Sequence, residues 1–267
     1  MEILGYLLAA LVGVSLGLIG SGGSILTVPI LVYIMGISPV AATAYSLFIV
    51  GSTALVGGVQ NAIDKRVDFK TVLIFGIPSI LAVYGTRMWL VPHIPDSLFS
   101  VSGFEITKPI ALMLLFAIVM LMASYSMIKP NKNKAIADEN APRVYNYPMI
   151  LMEGAVVGVL TGLVGAGGGF LIIPALVLLA KMPMKLAVGT SLFIIAIKSL
   201  FGFIGDIQSG MVIDWLMLAF FTSSAVTGIF IGIYLSKKID GAKLKTGFGW
   251  FVLIMGVYII TKELFFK

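Results

Sequence analysis

The chain consists of long apolar segments separated by short polar loops. Runs of about 20 apolar residues are long enough to cross a bilayer as helices, and they lack the alternation of membrane barrel strands. The pattern predicts an all-α polytopic membrane protein, in which hydropathy alone would count seven or eight spans. The eight segments lie at about 3–36, 40–63, 70–91, 108–129, 147–180, 185–205, 212–236 and 243–262.

The segments form two groups of four that share a sequence motif. Residues 13–31 read GVSLGLIGSGGSILTVPIL and residues 158–176 read GVLTGLVGAGGGFLIIPAL, with ten of 19 positions identical. At the same offset of 145 residues, SLFI at 46–49 matches SLFI at 191–194. Internal repeats of this kind are common among transporters. The predicted units are a first repeat at 1–128, a cytoplasmic linker at 129–146 and a second repeat at 147–267.

Basic residues in the loops predict that the two repeats have opposite orientations. Each basic loop of one half is matched by a neutral loop of the other half. The first half has its basic residues in the second loop, and the second half has them in the first and third loops: Lys65, Arg66 and Lys70 against Lys181, Lys185, Lys237, Lys238, Lys243 and Lys245. Because basic loops stay in the cytoplasm, the halves are predicted to be inverted repeats.

The two longest segments do not fit a single straight crossing. Under this orientation, segment 147–180 begins and ends on the cytoplasmic side. Its 34 residues would form a helix about 50 Å long, whereas the hydrocarbon core is about 30 Å thick. We therefore predict that 147–180 and its mate 3–36 are broken or re-entrant glycine-rich hairpins, and that three transmembrane helices complete each repeat. The alternative is one tilted and kinked crossing for each segment.

Clustered glycines inside the two hairpins predict an irregular backbone at membrane depth. Such backbone is tolerated only inside protein or beside a cavity. Pro29 and Pro174 suit the first turn of a restarting helix, whose free amides attract anions. The alternative is that the glycines only permit tight helix packing, which explains the adjacent glycines less well. The predicted substrate-binding residues here are Gly20, Ser21, Gly22, Gly23, Ser24, Gly165, Ala166, Gly167, Gly168 and Gly169.

Hydroxyl side chains in the second and sixth segments add further candidates. Ser46 and Thr53 are seven residues apart, so they share one helix face, and their repeat mates are Ser191 and Lys198. Ser46 and Ser191 could donate to an anion or to carbonyls of their own helices. Thr190, beside Ser191, completes this candidate set.

The charged residues inside the apolar segments have different predicted roles. Lys198 lies at mid-segment, where an ionisable group is a functional candidate by default. The alternative for Lys198 is a structural pair with Asp206 or Glu153. We expect Arg87 to extend towards the outer surface and Asp206, near a segment end, to cap its helix.

Composition narrows the classes of function. The chain is 59% hydrophobic and 11% charged, whereas soluble domains carry roughly 25% charged residues. It has no cysteine and one histidine, which argues against a metal site and against cysteine catalysis. The sequence also lacks a pattern of paired carboxylates, which argues against an enzyme. The basic residues lie mostly in short loops beside apolar runs, so the net charge of +6 requires no nucleic-acid partner.

The duplicated motif G-x-x-G-x-G-G-x₅-P, the SLF of the next helix and the two four-segment halves resemble the TauE/SafE family of sulfite and organosulfonate exporters. The resemblance covers nearly the whole chain. It implies a transporter of small, often sulfur-containing anions in the cytoplasmic membrane, without an organic cofactor. It also implies that the matching motif positions contribute to the site: Gly20, Gly22, Gly23, Pro29 and Ser46, and Gly165, Gly167, Gly168, Pro174 and Ser191. Tyr45 stands where the second half has Thr190, so the two hydroxyl sites need not be equivalent.

The sequence therefore predicts a secondary transporter that moves a small anion through the bilayer by alternating access. The candidate site combines the glycine-rich breaks with Ser46, Ser191 and Lys198. Three alternatives stay open: a channel-like or cation-coupled permease, a membrane subunit of a larger complex, and an intramembrane enzyme.

Overall fold

A computed structural model describes residues 2–20, 23–101, 104–128, 147–178, 182–236 and 241–265. The predicted linker at 129–146 lies outside these residues, as do the candidates Ser21 and Gly22. π-Helical turns at Ile30–Ile34 and Thr86–Leu90 extend α2 and α4, and β1 pairs with β2 in a short antiparallel hairpin. The elements are α1 (Glu2–Ile19), α2 (Ser24–Pro29), α3 (Pro39–Ile63), α4 (Phe69–Gly85), α5 (Val91–His93), β1 (Ser97–Val101), β2 (Phe104–Thr107), α6 (Lys108–Ile128), α7 (Tyr147–Val164), α8 (Gly169–Leu178), α9 (Met184–Gln208), α10 (Trp215–Ser236) and α11 (Gly241–Phe265).

Six helices of the described chain are long and apolar enough to cross a membrane. They match the six segments that were predicted to cross, and the chain is a multi-pass α-helical membrane protein, as predicted. Local signals set their ends: Ser38 caps α3 with Pro39 in the first turn, and Asp68 caps α4. The crossing helices are Pro39–Ile63, Phe69–His93, Lys108–Tyr125, Met184–Gln208, Trp215–Ser236 and Thr246–Phe265.

Both long glycine-rich segments are broken helices. α1 ends at Ile19 and α7 at Val164, and the glycines that follow, Gly20 and Gly165, have φ of +82° and +75° respectively. Such angles favour glycine, because a β-carbon would collide with the neighbouring backbone. In the first half, the end of the segment lies beside the beginning of α1, because a β-carbon built on Gly5 would collide with Sδ of Met35. Segment 3–36 therefore folds back as a hairpin, as predicted.

The two prolines do not lie where the sequence suggested. Pro29 is the sixth residue of α2, and Pro174 is the sixth residue of α8. The prediction that they occupy the first turn of each restarting helix was wrong. Both helices restart directly after the glycine breaks, so each proline lies inside its helix, where it provides no N–H for the carbonyl four residues earlier. A π-helical turn follows Pro29 directly.

Helix packing follows the sequence repeat. α1 packs mainly against α10, and its mate α7 packs against α4, which is the mate of α10. Gly13 and Gly17 of α1 face backbone atoms of α10, and β-carbons there would collide with them. Small residues spaced four apart allow such close approach in membranes. The interpretation that Gly13 and Gly17 permit tight helix packing is thus correct. The inverted orientation of the repeats stays a prediction.

Candidate functional site

The two glycine breaks meet where α3 and α9 cross at the centre of the fold. Gly20 faces Val188 near the start of α9, and Gly165 faces Thr43 near the start of α3. These contacts are related by the same offset of 145 residues, so each hairpin docks on the central helix of the other half. A β-carbon on Gly167 would lie 3.4 Å from Cβ of Ser24, which begins α2. The breaks of the two repeats therefore adjoin each other.

Lys198 projects from α9 into this junction. Its side chain is fully buried, and Nζ donates a hydrogen bond to Oγ1 of Thr161 at 2.8 Å. A β-carbon on Gly168 would lie 2.9 Å from Nζ, so the ammonium lies directly against the second glycine break. Among the described residues, the only side chain hydrogen-bonded to the ammonium of Lys198 is therefore the uncharged hydroxyl of Thr161.

Neither acidic residue that could have paired with Lys198 does so. Asp206 forms an ion pair with Arg87 instead, with Oδ1 3.3 Å from Nη1. Within the described chain, the carboxylate of Glu153 lies more than 4.0 Å from any basic group, and its Oε2 is buried without a hydrogen bond. The structural-pair alternative for Lys198 is therefore wrong. A fully buried ammonium without a carboxylate is costly unless an anion or loss of its proton relieves it.

The beginning of α8 adds positive potential beside this ammonium. α8 begins at Gly169, and its first bonds run from the amides of Leu171 and Ile172 to the carbonyl of Gly168. The amides of Gly169 and residue 170 precede these bonds, so they have no partner within the helix. Aligned peptide dipoles place about half a positive charge at such an end. Lys198 and the start of α8 together form a site that favours negative charge.

The predicted hydroxyl side chains of α3 and α9 divide into two groups. Buried Ser46 lies in α3 with no hydrogen-bond partner for its hydroxyl, so it remains available to a ligand. Three hydroxyls are instead engaged within the protein: Thr53 donates to the carbonyl of Ile49, Ser191 donates to that of Val188, and Thr190 accepts from the amide of Asp68. Gly23 and Ala166 are buried, and a β-carbon on Gly23 would collide with Oγ of Ser15 in α1.

A vestibule of about 610 Å³ opens beside the first glycine break. It reaches Ile19 at the end of α1 and Leu192 in α9, and Arg66 and Lys185 lie at its rim. Lys198 is six residues beyond Leu192, about 9 Å further along the helix axis. The void beside Thr161 and Gly168 has no room for a water molecule. Access from the vestibule to Lys198 therefore requires movement.

Two features of the interior were not predicted from the sequence. Arg87 is fully buried, so the expectation that it extends to the outer surface was wrong, and Asp206 is its partner rather than a helix cap. An acidic residue and a basic residue in otherwise apolar spans were the available signal, because buried charges usually pair. No sequence pattern connected Thr161 with Lys198.

Thr161→Val is expected to destabilise the fold by about 1–3 kcal/mol, because the buried ammonium loses its acceptor. The measurement is the midpoint of unfolding of the purified protein. The same substitution in a Lys198→Met background should cost much less, since no donor is then left unpaired. Equal losses in both backgrounds would contradict the hydrogen bond.

Comparison with known proteins identifies the family. Residues 5–259 match the family model described as Sulfite exporter TauE/SafE. The probable membrane transporter protein YunE of Bacillus subtilis is 30% identical over 97% of this chain and 96% of its own length. A probable membrane transporter protein of Xylella fastidiosa is 29% identical over 95% of this chain and 92% of its own length. No solved structure matches the chain significantly. The chain therefore belongs to the sulfite exporter TauE/SafE family, and the relatives it matches are named as membrane transporters.

Proposed function

We propose that the protein is a secondary transporter of small oxyanions, sulfite or organosulfonates, in the cytoplasmic membrane. The observation that carries this proposal is Lys198, a buried ammonium without a carboxylate, placed against the start of α8. An anion that entered this junction would compensate the ammonium and accept hydrogen bonds from the free amides of the helix. The description of the family as sulfite exporters supports the same class of substrate.

The position of the vestibule supports transport by alternating access. The vestibule lies at one end of α9, and its charged lining residues are Arg66, Lys185 and Asp64, of which Asp64 pairs with Arg66. The remaining positive charge of Lys185 favours anions at the mouth of the vestibule. Under the positive-inside rule this mouth faces the cytoplasm. Since Lys198 lies deeper and has no open path, the substrate reaches it only when the hairpins move. A permanently open channel would need a continuous path past Lys198.

The alternative of a cation-coordinating permease is weakened by the same junction. A cation there would meet the ammonium of Lys198 and the positive end of α8, and both would repel it. Ligands for a cation would have to be carbonyl or carboxylate oxygens. The ionisable side chain found at the junction is a lysine instead. The geometry therefore supports an anion.

The test is flux through the purified chain, reconstituted alone in sealed liposomes. We expect saturable uptake of sulfite or of a small alkanesulfonate, well above that of empty liposomes, with the potassium permeability unchanged. Choline in place of potassium controls for general leakage. Equal acceleration of potassium and sulfite would favour a channel. Absence of any anion flux, with the protein folded, would reject the proposal for the isolated chain and favour a subunit of a larger complex.

A further inference from the structure

The buried ion pair of Arg87 and Asp206 lies at the end of α9 that is remote from the vestibule. Arg87 belongs to the π-helical turn that extends α4, and both side chains are almost completely inaccessible. Nη1 of Arg87 also donates to Oγ1 of Thr43 at 3.1 Å. The pair therefore joins α4, α9 and α3 near the face opposite to the vestibule.

The repeat relates this closed region to the open vestibule. Four residues that line the vestibule or its mouth have mates that close around Arg87 or its neighbour Thr86. Thr43 and Asp206 bond Arg87 itself, Gly205 would place a β-carbon 3.1 Å from Cβ of Arg87, and Gly162 would place one 2.7 Å from Cβ of Thr86. The vestibule residues and their mates are Val188 and Thr43, Asn61 and Asp206, Gln60 and Gly205, and Gly17 and Gly162.

The pair is held by few contacts. Nε and Nη2 of Arg87 and Oδ2 of Asp206 are buried without a hydrogen bond, and a single contact of 3.3 Å joins the two groups. Buried ion pairs stabilise a fold only when the geometry is good and the remaining polar atoms are satisfied. A hydrogen bond from the hydroxyl of Tyr84 to the amide oxygen of Gln208 also links α4 and α9, closer to the surface. Opening would expose the unsatisfied atoms of Arg87 and Asp206 to water, and their hydration would offset part of the lost attraction of the pair.

We propose that Arg87 and Asp206 form the gate of the transport path on the face opposite to the vestibule. This rests on the proposed function, because a gate matters only if the chain transports by alternating access. In the structure, residues of both repeats hold one surface open as the vestibule, and their repeat mates hold the equivalent surface shut around Arg87. Opening the gate would separate Asp206 from Arg87 while the vestibule closes.

The absence of cysteine from the chain allows a direct accessibility test. Gln60 lines the vestibule and is partly exposed, whereas Leu47 is fully buried on the gate side. Single variants Gln60→Cys and Leu47→Cys would be labelled in sealed vesicles with a membrane-impermeant thiol reagent, applied to each face in turn. Val212→Cys, in an exposed loop after α9, controls for delivery of the reagent to the gate face. Met113→Cys, in the core, reports any loss of fold.

With the gate intact, we expect Gln60→Cys to react from the vestibule face and Leu47→Cys to be protected from both faces. Adding Asp206→Asn should raise labelling of Leu47→Cys from the gate face at least tenfold and should lower labelling of Gln60→Cys. Tyr84→Phe, a milder change near the surface, should raise the labelling of Leu47→Cys from the gate face several-fold. Met113→Cys should stay unreactive throughout.

Unchanged labelling of Leu47→Cys in both the Asp206→Asn and the Tyr84→Phe backgrounds, with Val212→Cys reactive, would overturn the gate. Labelling of Met113→Cys would identify Asp206→Asn as unfolded, and the decision then rests on Tyr84→Phe. The labelling needs no substrate, so it is independent of the flux assay. Sulfite flux with a permanently protected Leu47→Cys rejects the gate alone. The expected labelling without anion flux rejects the proposed substrate and leaves the gate.

Discussion

Lys198→Met is expected to reduce anion transport by about 100-fold while the protein remains folded. The substitution removes the ammonium beside Gly168 and keeps a similar length and volume of side chain. A loss of 100-fold corresponds to about 2.7 kcal/mol, which lies within the range for one hydrogen bond to a charged group. The measurement is the initial rate of sulfite or sulfonate uptake into liposomes.

The effect of Lys198→Met on stability separates a functional lysine from a structural one. A buried charge that holds the fold together would cost several kcal/mol when it is removed, whereas replacing a charge without a carboxylate by an apolar group is often neutral or stabilising. We therefore expect an unfolding midpoint that is unchanged or higher. Lys108→Met, at the start of α6 and also largely buried, is the matched control and should leave uptake unchanged. Normal uptake by Lys198→Met would reject the anion site.

Gly165→Ala is expected to destabilise the protein by roughly 2–6 kcal/mol and to abolish transport. An alanine there must adopt a φ of +75°, which costs about 1–3 kcal/mol. Its β-carbon would also lie 2.6 Å from Cα of Thr43, where backbone cannot move aside, and overpacking adds about 1–3 kcal/mol. Unfolding midpoints and uptake rates measure the two effects. Gly76→Ala, with open space around its β-carbon, is the control and should have little effect.

The repeat provides an internal comparison for this result. Gly20, the mate of Gly165, also has a positive φ, but its β-carbon would meet the side chain of Val188 rather than backbone. Val188→Ala should therefore relieve part of the loss caused by Gly20→Ala. No truncation of Thr43 can relieve Gly165→Ala to the same extent, because the obstructing atoms include its carbonyl oxygen and Cα. Equal rescue in the two halves would contradict the packing described for the breaks.

The two proposals describe complementary parts of one path. Lys198 and the start of α8 provide the positive site at the junction of the hairpins, and the vestibule leads towards it from one face. Arg87 and Asp206 close the equivalent region at the other face. The two cations thus differ in their surroundings: Lys198 bonds a neutral hydroxyl, while Arg87 is held by a carboxylate.

The membrane architecture was predictable from the sequence because its signals are local or periodic. The length and composition of the apolar runs identified all six crossing helices, since a helix in lipid must satisfy its own backbone and present an apolar surface. The repeated glycine motif located both breaks, because few other residues tolerate the backbone angles at Gly20 and Gly165. The prolines gave a wrong prediction for where the helices restart, because each helix begins as soon as the glycine break ends.

The environment of each polar side chain, by contrast, was decided by tertiary structure alone. Lys198 was identified from its depth in an apolar segment, but its bond to Thr161 joins residues 37 positions apart, and no periodicity relates them. The pairing of Arg87 with Asp206 spans 119 positions and depends on how α4 crosses α9. Repeat mates such as Ser46 and Ser191 are identical in sequence, yet one hydroxyl is free and the other is bonded. Sequence determines which groups must be buried, whereas the crossing of distant helices determines which of them find partners.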